Sequence, residues 1–170
     1  DIECSAFLGV SSAAIALIGP SPTSEIVRKR INTILKILQR LRAEPRRSMA
    51  GLFGELLVIY QASDASAAVH AWRPNEFAKY DFSIGNVRVD VKTTTKRNRL
   101  HSVSIDQCTP PDSVIGLFSS VILDEVGNGV SIAELMEAIE ERLADPNDIG
   151  KLRETVYDTL GRNARHLETT

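Results

Sequence analysis

A chain that carries YDFSIGNVRVDVK at Tyr80–Lys92 has few ways to fold there. Two runs of alternating residues flank Gly85-Asn86, a pair suited to a two-residue hairpin turn. A loop of that length sets Ile84 against Val87, Phe82 against Val89 and Asp81 against Asp90. Successive side chains leave opposite faces of a strand. Tyr80, Phe82, Ile84, Val87, Val89 and Val91 therefore share an apolar face, and Asp81, Ser83, Arg88, Asp90 and Lys92 share the other. Opposed residues have Cβ atoms about 4.5–5.5 Å apart, where like charges destabilise, so the acidic pair needs a cation. Lys92 lies on the same face, ~6.5–7 Å beyond Asp90 along the strand. Two carboxylates and an ammonium on one hairpin face suggest a divalent-metal site with a basic neighbour.

The residues before the hairpin add a third acid. Ser48 is placed to cap a helix, MAGLFGELLVIYQ, in which Leu52, Leu56 and Ile59 share a face with Glu55. A carboxylate on an apolar stripe is expected to be paired or to bind metal, and pairing with an arginine is the plain structural alternative. Upstream, Ile2–Ile18 reads as two short strands. Thr23 or Ser24 then caps a helix to about Leu41 whose outer face is basic, with Arg46 and Arg47 extending that charge. A solvated face and a phosphate-contacting face both account for it. Ala67–Trp72 reads as a strand, with Trp72 as a packing residue rather than a stacking platform.

After the hairpin, TTTKRNR reads as a loop whose Lys96, Arg97 and Arg99 are candidate phosphate contacts or simply solvated. His101–Asp106 alternates as a third strand with Gln107 at its end, and Val114–Leu123 reads as a buried strand. Ser131 and Glu134 form a capping-box signature for a helix that Pro146 ends, and a last helix spans Asp148 to Leu160. Both helices turn acid outward, a surface that repels phosphate and could dock a partner protein.

A hydrophobic share of 43% gives 170 residues enough apolar chain for a core. The organisation expected is an N-terminal strand and helix segment (1–45), a core (46–125) and a C-terminal helical segment (126–170), together one compact domain. A net charge of −2 decides nothing about nucleic acid, because a local patch binds phosphate whatever the total. Cys4 and Cys108, without clustered histidines, make neither a zinc pattern nor a disulfide framework. No apolar run is long enough to span a membrane and the opening residues lack a basic n-region, so a cytoplasmic location is expected.

Glu55 on a helix, then Asp81, then Asp90-x-Lys92 on consecutive strands resembles the PD-(D/E)XK nuclease superfamily. GLFGELL, Trp72, the DF of Asp81-Phe82 and VKTTT are similar to an uncharacterised prokaryotic family of PD-(D/E)XK-type proteins associated with restriction and phage-defence loci. The resemblance is close over Ser48–Gln107 and loose in the flanks. It implies an α/β, restriction endonuclease-like mixed sheet flanked by helices, with an α-β-β-β-α-β core, an N-terminal β extension and C-terminal helices. It also implies a Mg²⁺-dependent endonuclease acting on DNA, with Mn²⁺ as a substitute metal. In this reading Asp81, Asp90 and the Val91 carbonyl are metal ligands, and Glu55 reaches the same cluster or a second ion. Lys92 positions the attacking water, and Gln107 contacts substrate or water. Tyr80 stands where the superfamily usually has proline, and Gln107–Ser113 is too short for the expected helix before a fourth strand. A homodimer or a partner protein of a defence system fits the same setting. The alternative is a non-catalytic nucleic-acid-binding or assembly subunit that keeps the fold. A small-molecule hydrolase lacks any nucleophile–base pairing, since His70, His101 and His166 have no motif around them.

Overall fold

The computed structural model describes residues 21–40, 48–73 and 78–166, together with Leu8, Ser12, Ile15 and Ile18. In chain order the elements are α1 (Ser24–Arg40), α2 (Met49–Gln61), α3 (Ala65–Ala71), β1 (Phe82–Ile84), β2 (Val87–Thr94), α4 (Ile105–Cys108), β3 (Ile115–Ile122), α5 (Ile132–Glu140) and α6 (Pro146–Leu160), followed by a 3₁₀ turn over Gly161–His166. They divide into two compact units, Met49–Val130 and a unit formed by Asp1–Ser48 with Ser131–Thr170. The architecture is α/β, a mixed sheet flanked by helices, consistent with a restriction endonuclease-like fold. No helix among the described residues is long and apolar enough to cross a membrane.

The unit Met49–Val130 is organised by the hairpin. Its register is the expected one, Phe82 with Val89, Ser83 with Arg88 and Ile84 with Val87. Gly85 occupies the first loop position at φ 55°, the left-handed conformation that a II′-type turn asks of glycine. β2 continues to Thr94, two residues beyond the expected end of the strand, because β3 pairs with it in parallel over its whole length, from Val87 with Ile115 to Thr94 with Ile122. The sheet order is β1-β2-β3. α2 lies against the apolar face: Leu52, Leu56 and Ile59 are fully buried, and a Cβ on Gly54 would run into Thr93 and Val91. Glycine there lets helix and sheet approach closely, at a cost in helix propensity of about 1 kcal/mol.

Three expectations for this unit are corrected. Ala67–Trp72 is not a strand. Asp64 caps α3 by accepting from the Ala67 N–H at 2.9 Å, and the alanine-rich ASAAVHA follows helix propensity. Only Trp72 makes a β-bridge, to Phe82, and it is fully buried as a packing residue. His101–Asp106 is not a strand either. Residues 101–104 are irregular, and Ser104 and Gln107 form a capping box that winds α4, so a local hydrogen-bond exchange overrides the apparent alternation. This one-turn helix is the element before β3 for which the chain had looked too short. Third, β3 is a strand but not a buried one. Ile115, Leu117 and Phe118 are each about half exposed, and β3 is the outer strand of the sheet among the described residues.

In the other unit, Thr23 starts α1 by accepting from the Ile26 N–H. Ile26, Ile31 and Leu35 of its apolar stripe remain exposed. The capping box of Ser131 and Glu134 opens α5 as expected. Pro146 does not end that helix. It is the first residue of α6, after the cap Asp145, the position where a missing N–H costs nothing. α5 and α6 are tied by a two-pronged ion pair, Arg153 Nε and Nη2 donating to Glu140 Oε1 and Oε2 at 2.7 and 2.6 Å. The strand pair expected over Ile2–Ile18 falls almost wholly outside the described residues. Within it, Leu8, Ser12 and Ile15 have helical backbone and Ile18 lies in a turn, which a strand pair does not provide.

Candidate metal and phosphate site

The hairpin brings Asp81, Asp90 and Lys92 to one end of the sheet, and both acids are buried. Asp81 stands one step outside the β1 ladder, and its Oδ2 accepts the Val91 N–H at 2.7 Å. The N–H and C=O of one strand residue point the same way. The Val91 carbonyl is thus directed toward the Asp81 side, where β1 has already ended.

Asp90 is the best-defined group. Its Oδ1 accepts from Gln107 Nε2 at 2.7 Å, and its Oδ2 lies 2.7 Å from Lys92 Nζ. The lysine contact is an ion pair without hydrogen-bond geometry, so no hydrogen bond reaches Oδ2 although that atom is buried. Gln107 uses both ends of its amide. Oε1 accepts from Lys92 Nζ at 3.4 Å and from the Ser104 N–H at 3.3 Å, while Nε2 also donates to the Lys79 carbonyl at 3.4 Å. The amide therefore locks the acid and the lysine into one network. α4 is itself fastened by Tyr80, whose hydroxyl donates to the Gln107 carbonyl at 3.3 Å. Gly116 of β3 lets this segment lie close, since a Cβ there would sit 3.3 Å from Pro110.

The residues present fit a divalent cation in the chemistry of their oxygens. Asp81, Asp90 and the Val91 carbonyl are hard donors, and the buried Asp90 Oδ2 has no hydrogen bond. Among the described residues no group of three or more His, Cys, Asp or Glu side chains could hold a metal. Mg²⁺ characteristically takes only one or two carboxylates and completes its shell with water and substrate phosphate.

Glu55 is placed differently from the acid pair. It is fully buried on α2, its Oε2 accepts from Trp72 Nε1 at 2.7 Å, and its Oε1 accepts from Arg73 Nη2 at 2.7 Å. Arg73 also lies over the Trp72 ring, 5.4 Å from its centroid. It adopts φ 41° and donates its backbone N–H to the Asp81 carbonyl at 2.8 Å. The arginine pairing weighed from the sequence is thus the arrangement found, and it links the Glu55 cluster to the hairpin through Asp81.

Of the basic candidates, Arg46 and Arg47 fall outside the described residues. Lys96 and Arg97 are exposed in the bend after β2. Arg99 reaches β3, its Nη1 donating to the Ser120 carbonyl at 2.8 Å and to Ser120 Oγ at 3.1 Å. His101 Nε2 sits 2.7 Å from the same Oγ. Ser120 and Arg73 had no signal of their own in the sequence, because the contacts that define them are long-range.

No curated protein and no solved structure matches the chain. One family model does, described as "Putative PD-(D/E)XK family member, (DUF4420)", over residues 6–169. With almost its whole length accounted for by that model, the chain belongs to the DUF4420 family of PD-(D/E)XK proteins.

Proposed function

We propose that this protein is a divalent-metal-dependent endonuclease, using Mg²⁺ or Mn²⁺ to hydrolyse DNA phosphodiester bonds in a restriction or phage-defence setting. The observation that carries the reading is the buried Asp90 held between Lys92 and Gln107, each 2.7 Å away. A buried, balanced carboxylate–ammonium–amide network costs desolvation for both ions, and a solvated hairpin face would have no need of it.

Asp81, Asp90 and the Val91 carbonyl would hold the cation. When bound, it supplies a Lewis acid for the phosphate and lowers the pKa of an attacking water. Lys92, half-buried and fixed by Asp90 and Gln107, orients that water and offsets negative charge that develops on the phosphate. Gln107 holds Lys92 and Asp90 in register, which is a positioning role. Lys96, Arg97 and Arg99 supply contacts to the DNA backbone.

The test is plasmid nicking with Mg²⁺ or Mn²⁺, set beside calorimetric metal binding, for the native protein and Asp90→Ala. Loss of both in the variant is the expected result. Nicking that survives Asp90→Ala would remove the assignment. A second reading, a DNA-binding or assembly subunit without catalysis, draws on one observation: Glu55 is engaged by Trp72 and Arg73 instead of standing with the two aspartates. DNA binding without nicking in any metal would select it.

A further inference from the structure

We propose that Arg99, His101 and Ser120 form a second phosphate-binding subsite, one strand over from Lys92, which takes a backbone phosphate next to the one cleaved. The identity of the ligand rests on the nuclease reading, whereas the cationic site rests on the geometry alone. Ser120 is the cross-strand partner of Lys92 in the parallel β2–β3 ladder. Paired strands lie about 4.8 Å apart, and paired residues project from the same face. Phe118, partner of Asp90 in the same ladder, is exposed beside it. The substrate face therefore continues across β3 rather than ending at Lys92.

Ser120 Oγ has His101 Nε2 at 2.7 Å and Arg99 Nη1 at 3.1 Å. A hydroxyl has two acceptor positions and one donor. Arg99 Nη1 donates to it, and with His101 in the tautomer that carries its proton on Nε2 the hydroxyl proton is free to turn outward to an anion. Arg99 is exposed and spends only Nη1 on β3. Among the described residues nothing takes its Nε and Nη2, and no carboxylate pairs with Arg99 or His101. The free side of a guanidinium fork matches phosphate geometry. A brace for the edge of β3 would need the hydrogen bond to the Ser120 carbonyl but not the charge.

The deciding variant is Arg99→Gln, which keeps a donor for the Ser120 carbonyl and removes the charge. Binding of a short fluorescein-labelled DNA duplex is followed by anisotropy in Ca²⁺ buffer across a salt titration. We expect roughly five- to tenfold weaker binding at low salt and a log–log salt slope shallower by about 0.9, the value for one lost phosphate contact, at an unchanged melting temperature. His101→Ala with Ser120→Ala should weaken binding in the same direction and raise KM more than it lowers kcat. These variants also cover the case in which Arg99→Gln melts early. If affinity and slope match the native protein while nicking still requires Lys92, the subsite is wrong and the nuclease reading stands. If the slope depends on Arg99 but no metal supports nicking, the subsite stands and the nuclease reading falls.

Discussion

Replacing Arg73 by methionine separates a structural Glu55 from a metal-binding one. The Glu55 side chain is 1% exposed and that of Arg73 only 16%, with 2.7 Å between them. Removing one partner of a buried ion pair leaves the other charge stranded, typically at a cost of about 3–5 kcal/mol. Water reaches Arg73 in part and the Trp72 N–H still serves Glu55, so we expect somewhat less than that range, about 2–3 kcal/mol. For a chain of this size that is a fall in Tm of roughly 5–10 °C. Glu55→Gln should cost less, about 1–2 kcal/mol, because the amide oxygen still accepts from Trp72 Nε1 and a partly exposed guanidinium can turn to water. The double variant should then lose clearly less than the sum, with a coupling of about 1.5–3 kcal/mol. Urea unfolding of the four proteins in metal-free buffer measures this directly. An Arg73→Met protein within about 0.5 kcal/mol of the native one, additive with Glu55→Gln, would refute the pairing.

Two further outcomes follow from packing and capping. Gly54→Ala gains about 1 kcal/mol of helix propensity but forces the new methyl into Thr93, an overpacking worth about 1–3 kcal/mol. Urea midpoints should fall in the native background and recover or rise when Thr93→Ala clears the space. Glu134 is held below its usual value of 4.5 by the Ser131 N–H and hydroxyl. A lowered carboxylate stabilises the fold above its unfolded pKa and loses that contribution as pH falls through the folded one. The Tm advantage of the native protein over Glu134→Gln should therefore be full near neutral pH and shrink as the pH falls into the acid range; an advantage that grows as the pH falls contradicts the capping box.

What could be read in advance was whatever short-range chemistry decides. The two-residue loop alone sets the pairing of Phe82 with Val89, so the placement of Asp81, Asp90 and Lys92 was legible from one stretch. The S-x-x-E box at Ser131 was equally local. The S-x-x-Q box at Ser104 was just as visible, but the alternation of Val103 and Ile105 masked it, and both side chains turn out to be exposed. Asp64 was a cap that went unread for the same reason, with an alanine run mistaken for a strand. The apolar content of β3 suggested burial, yet composition does not reveal whether a strand is central or at an edge. Arg99 meets Ser120, and Trp72 and Arg73 meet Glu55, only because separate elements are folded together. No window of sequence contains such contacts.

The parallel pairing of β2 with β3 also sets an order of assembly. The hairpin is contiguous in the chain, and hairpins of this kind close within about 1–10 μs. Joining Val87 to Ile115 and Thr94 to Ile122 instead requires the whole crossover to close first, with its entropic cost met before any ladder bond forms. We therefore expect a refolding chain to bring its two aspartates and its lysine together before Gln107 and Ser120 arrive to hold and extend them. Trp72, the sole tryptophan, sits buried between α2 and β1. Its fluorescence should report the packing of α2 on β1 more directly than the docking of β3.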